Sequence, residues 1–363
     1  MSIEQSAIIE VLNKVQDPDI GLSLGDLKAI EKIEIDGNHV KIYLKLVQPI
    51  YWAASPINES CINELRKLSD SHTFEIIISE QHFESSNRPV LPGVKNIIAV
   101  SSGKGGVGKS AVASNLAAAL ASKGAKVGIL DADVYGPSQP TMFGAKGTKL
   151  EAVRTEDGKT YAKPAERYGI QVASMGFLME QQDAAIVRGP MLAGYFSMLF
   201  EQVWWGNLDF LILDLPPGTG DIQLTMTQRI PLTGAVIVTT PQEIALADVR
   251  RSIAMFRKVN VDVLGIVENM SYFIPPDAPD KKYFVFGESG GKKVADESNV
   301  DLLGQIPLNM QMREDGDSGK PITISDPESE QAKLIQAITD RLVSKIRNKN
   351  FELTKNPGVK ISL

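Results

Sequence analysis

A chain of 363 residues with 43% apolar and 23% charged residues has the composition of a soluble globular protein with room for two domains. Its net charge of −6 argues against a general nucleic-acid binder. No apolar run approaches the ~18 residues of a membrane span, and the start Met1-Ser2-Ile3-Glu4 lacks the basic and apolar regions of a signal peptide. The single cysteine, Cys61, excludes an internal disulfide and points to a reducing cytoplasm.

Residues 1–80 read as a small α+β domain. Ile8, Leu12 and Val15 share one helical face. Two strands, 30–35 and 39–47, flank Asp36-Gly37-Asn38, and Val40, Ile42, Leu44 and Leu46 alternate with polar neighbours, as in a hairpin with one buried face. A second helix carries Ile57, Cys61, Leu65 and Leu68 on one stripe, which makes Cys61 a small apolar core residue. Phe74–Ser79 reads as a third strand. Residues 81–94, with two prolines and no periodicity, read as a linker.

From 95 to 347 strands and helices alternate, with strands expected at 96–100, 126–131, 208–214, 234–240, 263–268 and 302–306. Near-continuous apolar runs such as Leu208-Asp209-Phe210-Leu211-Ile212-Leu213 suit parallel strands covered on both faces, so this part is expected to be an α/β domain on a parallel sheet. Ligands of such sheets bind beyond the carboxyl ends of the strands. A last helix over about 329–347 presents Leu334, Ile335, Ile338, Leu342 and Ile346 on one side. Its basic end reads as dipole-compatible packing rather than a membrane-surface helix. Residues 348–363 are left as a tail.

Gly103-Lys104-Gly105-Gly106-Val107-Gly108-Lys109-Ser110 fits the phosphate-loop pattern, between an expected strand and an Ala/Leu-rich helix beginning around Ser110 and Ala111. The glycines let main-chain N–H groups turn toward phosphate oxygens, and the helix start adds donors and a positive dipole end. Lys109 is expected to reach the β- and γ-phosphates, and Ser110 to ligate Mg²⁺. Asp131 and Asp133 follow one strand and Asp214 another. Asp131 and Asp214 are expected at Mg²⁺, directly or through water, and Asp133 at the attacking water. The Gly/Pro-rich stretch 215–221 can change shape when a γ-phosphate leaves. Thr239-Thr240-Pro241-Gln242 is expected to line the site, and Asn269 to meet the adenine edge, since an amide both donates and accepts. From residue 83 onward there is neither Cys nor His, so this part by itself can offer a metal only oxygen ligands.

These segments together resemble the Mrp/ApbC family, the branch of the ParA/MinD-like P-loop ATPases linked to iron–sulfur cluster assembly. The matching stretches are the phosphate loop, Asp-Ala-Asp-Val-Tyr-Gly-Pro-Ser (131–138), Arg-Gly-Pro-Met (188–191), Leu-Asp-Leu-Pro-Pro-Gly-Thr-Gly-Asp (213–221), Thr-Pro-Gln (240–242) and Glu-Asn-Met-Ser (268–271). The N-terminal part is similar to the small domain often fused ahead of that ATPase, through Asp17-Pro18-Asp19-Ile20 and Leu24-Gly25-Asp26-Leu27. The resemblance implies a cytoplasmic homodimer with ATP at the subunit interface and Lys104 reaching the partner's phosphates. It also implies a slow Mg²⁺-dependent ATPase that hands iron–sulfur clusters to apo-protein clients or works with assembly factors.

One departure qualifies that implication. Where many family members carry C-P-x-C, this chain reads Pro275-Pro276-Asp277-Ala278, and Ser55-Pro56 stands where the small domain often has Cys-Pro. The usual cluster ligands are absent, and Cys61 supplies at most one thiolate per subunit against the four a cluster takes. Two functions are therefore expected to compete: an ATPase of iron–sulfur assembly, and a cluster-free, ATP-switched dimer acting as an interaction adaptor.

Overall fold

The computed structural model describes residues 3–81, 90–134, 136–155, 158–177 and 199–355. They form two compact units, one of residues up to 84 joined by residues from 343 onward, the other of residues 85–342.

In the smaller unit, α1 (Gln5–Leu12) precedes β1 (Ile30–Asp36) and β2 (His39–Val47), an antiparallel hairpin closed at Asp36↔His39. Then α2 (Ala54–Leu68) carries the chain back so that β3 (Thr73–Gln81) runs parallel to β2. The alternation read from the sequence is the burial pattern of β2: Val40, Ile42, Leu44 and Leu46 lie under the helices with Ile8, Leu12, Ile57, Cys61 and Leu65. Leu68, expected on the same stripe, is 39% exposed because the helix ends there.

The larger unit begins with β4 (Val94–Ser101), α3 (Lys109–Ser122) and β5 (Val127–Asp131). The short helix α4 (Gln139–Met142) and strands β6 (Glu151–Arg154), β7 (Thr160–Lys163), β8 (Ala165–Arg167) and β9 (Ile170–Ser174) follow. Next come β10 (Leu208–Asp214), α5 (Asp221–Arg229), β11 (Gly234–Thr239), α6 (Glu243–Lys258), β12 (Val263–Phe273), α7 (Gly290–Ser298) and β13 (Leu302–Leu308). Helices α8 (Met310–Ser318), α9 (Ile322–Ser325) and α10 (Glu330–Lys355) close the chain.

Eight strands form one sheet in the order β13-β12-β11-β4-β10-β5-β9-β8, parallel except for the β8–β9 pair. Every residue of β5, β10 and β11 is buried, as their unbroken apolar runs require of strands covered on both faces. The fold is the α/β parallel-sheet phosphate-loop architecture expected, preceded by a small α+β unit. Strand β4 lies where the order turns back, with β11 on one side and β10 on the other, so the loop after it opens into the crevice where such sheets bind ligands. Among the described residues no helix is long and apolar enough to cross a membrane.

The structure departs from the sequence expectation in three places. Strands β6 to β9 were not anticipated, because they are three to five residues long and too polar at β6–β7 to show a period. Strand β12 runs on to Phe273 rather than ending at 268, with a register shift between Asn269 and Phe273. The last helix continues to Lys355, and its residues from 343 belong to the smaller unit. There Arg347, fully buried, donates through Nη1 and Nη2 to Asp17 at 2.9 and 2.6 Å, through Nη1 to Asp19, and through Nε to the Val47 carbonyl at 3.2 Å. A stretch expected to end a packing helix and begin a tail is a structural part of the small domain. The segments 82–89, 188–191 and 356–363 lie outside the described residues.

Candidate functional site

The loop after β4 turns at glycines that only that residue makes easy: Gly106 and Gly108 have φ of +81° and +80°. A Cβ built on Gly105 or Gly106 meets no atom within 4 Å, so the loop leaves room for a phosphate group against its main chain. Gly108 is the N-cap of α3, and no side chain caps that helix end. Its first-turn N–H groups are therefore available to an anion, with the helix dipole behind them. Ser102 Oγ donates to the Lys104 carbonyl at 3.0 Å, and the Gly218 N–H to the Ser102 carbonyl at 2.9 Å, which joins the loop after β10 to the phosphate loop.

The charged centre lies at the loop's end. Lys109 is 6% exposed. Its ammonium pairs with Asp214 Oδ1 and donates to Ser110 Oγ at 3.3 Å. Asp131 and Asp214 end adjacent strands in direct register, and both are fully buried. Asp131 accepts from the N–H groups of Ser138 (2.8 Å), Gln139 (2.9 Å) and Asp133 (3.2 Å), and from Ser174 Oγ (3.1 Å). Burial first, and the neighbouring Asp214 charge second, push the Asp131 carboxyl up to about 7. Two buried carboxylates and one lysine are short of positive charge, and a divalent cation would supply it. Asp133, half-buried, accepts from the Gly136 N–H at 3.2 Å.

The chemistry of the donors fits magnesium: a hydroxyl at Ser110 and carboxylates at Asp131 and Asp214 are hard oxygen ligands. The sequence-derived residues Gly103 to Ala111, Asp131, Asp133 and Asp214 thus gather at the carboxyl ends of β4, β5 and β10. Lys104 is half-buried in the loop and without an ion-pair partner among the described residues.

Asn269 stands elsewhere than a strand end. It is 5% exposed inside β12, and its Nδ2 donates to the Val107 carbonyl at 2.9 Å. A Cβ on Gly108 would meet that nitrogen at 2.2 Å. Met270, next in sequence, has φ +53°, an irregularity of the kind that re-aims a side chain beside a site. One amide N–H serves as a strut under the phosphate loop, which leaves the expected adenine contact to the second N–H and the amide oxygen.

Two residues were missed. Gln139 is fully buried and donates from Nε2 to Asp214 Oδ2 at 2.8 Å and to the Ser110 carbonyl at 3.1 Å. Gln223 binds the Pro216 carbonyl at 2.5 Å and Ser101 Oγ at 3.1 Å, tying the loop after β10 to β4. No sequence pattern marks either, since a glutamine is ordinary in both contexts.

A thiolate-bound cluster does not fit the described residues. No group of three or more His, Cys, Asp or Glu among them is arranged to hold a metal ion. Cys61 is fully buried, and burial pushes its thiol up to about 12. Pro275 and Ala278 form a turn through the Ala278 N–H and the Pro275 carbonyl, and neither carries a ligand atom in its side chain.

Residues 93–343 match the NUBPL iron-transfer P-loop NTPase family, and residues 5–76 the iron–sulfur cluster assembly protein family. The chain is 47% identical over 343 residues to an iron–sulfur cluster carrier protein of Synechocystis, covering 94% of this chain and 97% of that protein. It is 43% identical over 348 residues to one of Escherichia coli, covering 94% and 92%. A nucleotide-binding protein from Archaeoglobus fulgidus, solved in complex with ADP, is 38% identical, covers 66% of this chain and 92% of its own, and superposes with a TM-score of 0.56.

Proposed function

The chain belongs to the NUBPL iron-transfer P-loop NTPase family, and from that premise we propose that it binds ATP with Mg²⁺ at residues 103–111, hydrolyses it slowly as a cytoplasmic homodimer, and serves iron–sulfur cluster assembly or transfer. The observation that carries this is the joining of Lys109, Ser110, Asp131 and Asp214 at the open end of a glycine cradle. The ADP complex of the archaeal relative supports the nucleotide.

Ser110, Asp214 and Asp131 are the residues that would hold magnesium, which when bound neutralises charge on the β- and γ-phosphate oxygens. Lys109 exchanges its Asp214 partner for phosphate oxygens. Asp133, held by the Gly136 N–H, orients the attacking water. Asn269 keeps the loop in its phosphate-binding shape from behind. Lys104 reaches the phosphates of the partner subunit, where a second ammonium stabilises the developing charge.

The cluster is cargo in this reading, and the chain's single cysteine, Cys61, falls short of the four thiolates a cluster takes. That observation favours a second reading, a cluster-free dimer whose ATP state switches its contacts with assembly factors or apo-protein clients. The site assignment is tested by Lys109→Ala. Turnover of Mg·ATP is expected to fall by about 10²–10³ with the far-ultraviolet circular dichroism retained, and unchanged turnover refutes the assignment.

A further inference from the structure

Gln139 joins three parts of the site that come from different elements. Its main-chain N–H, at the start of α4, donates to Asp131 Oδ2 at 2.9 Å at the end of β5. Its side-chain Nε2 donates to Asp214 Oδ2 at 2.8 Å at the end of β10, and to the Ser110 carbonyl at 3.1 Å at the start of α3. The amide orientation is forced, because turning it over would set its oxygen against a carboxylate and a carbonyl. Among the described residues Gln139 Oε1 is buried with no hydrogen-bond partner while the N–H groups keep theirs, and an orphaned buried acceptor is destabilising.

We propose that Gln139 is a positioning residue that holds the Asp131 and Asp214 carboxylates side by side next to Ser110, preset for a hydrated magnesium ion. The inference rests on the nucleotide reading above and adds a residue to it. Two buried carboxylates repel, and donors shared between them keep them together. Among the described residues, the carboxylate of Asp214 has two side-chain donors, Lys109 and Gln139. Once Lys109 turns to a phosphate, Gln139 is the side-chain donor that stays on Asp214 among the described residues. Being neutral, it does so without cancelling the charge that attracts the cation.

The test separates magnesium from nucleotide. Gln139→Met keeps the length of the side chain and the main-chain bond to Asp131, and removes the amide arm. ADP affinity is measured by calorimetry with excess Mg²⁺ and again with a chelator. The strengthening of ADP binding by Mg²⁺ is expected to fall by roughly 10- to 100-fold, the usual effect of losing a partner behind a metal ligand. Affinity in the chelator is expected to stay as in the unsubstituted protein. An undiminished response to Mg²⁺ overturns the proposal, and so does an equal loss with and without Mg²⁺, which would mark a general packing role. If Gln139→Met does not fold, Gln139→Asn, which withdraws the amide by one methylene, is read against the same two outcomes. Failure of the unsubstituted protein to bind ADP in either buffer overturns the nucleotide reading instead.

Discussion

Replacing Arg347 by alanine should loosen the small domain, although the residue lies some 330 positions from its partner Asp17. Both side chains are fully buried, and the guanidinium grips Asp17 with two donors while also binding Asp19 and the Val47 carbonyl. Removing one member of a buried pair leaves the other charge without compensation, at a cost of about 3–5 kcal/mol. Asp17 keeps the N–H groups of Asp19 (3.0 Å) and Ile20 (3.1 Å), which places the expected loss in the lower part of that range. Such a loss multiplies the open population by roughly 10²–10³. Cys61 reports it directly, as the chain's one cysteine, in the core of the same unit. A thiol raised to about 12 by burial reacts with a disulfide reagent only when the unit opens. Its labelling rate in native buffer should rise by that factor in Arg347→Ala. The double variant Asp17→Asn with Arg347→Met, which removes both charges, should recover part of the loss. Wild-type labelling in Arg347→Ala would refute the assignment of residues 343–355 to the small domain's cooperative unit.

Three further outcomes are expected. Lys104→Ala should lower ATP turnover by about 10³ or more while ADP titration still shows binding; a parallel loss of ADP affinity would place Lys104 in its own subunit's pocket. Asp131 has a carboxyl raised to about 7 in the ligand-free fold, above its unfolded value of ~3.9, so the folded state holds the extra proton between the two. Its contribution to stability is fully present below about 4 and is lost as pH rises to about 7. The melting temperature of the unsubstituted protein in chelator should therefore fall over that window relative to Asp131→Asn, and a rise would contradict the sign. Anaerobic reconstitution with iron and sulfide should give no stoichiometric cluster and no visible charge-transfer absorbance, since one buried thiol per chain falls short of four ligands. A stoichiometric cluster would show a ligand set other than the one reasoned here.

The phosphate loop, the two acidic strand ends and six of the eight strands of the large sheet were legible in the order of residues, because each depends on neighbours in the chain. Glycines at 106 and 108 announce positive φ, and unbroken apolar runs announce buried parallel strands. Alternation in residues 39–47 named the buried face of the small domain for the same reason. Strands β6 to β9 escaped because three to five residues carry too little periodicity.

What tertiary structure alone decided are the contacts that join distant positions. Asn269 supports Val107 across 162 residues, and Gln139 reaches Asp214 across 75. Arg347 turns the end of the last helix into a part of the small domain. Each is a polar group whose burial is tolerable only because a specific partner meets it. Which partner that is depends on how the strands are ordered and packed, and no local pattern of residue types records it.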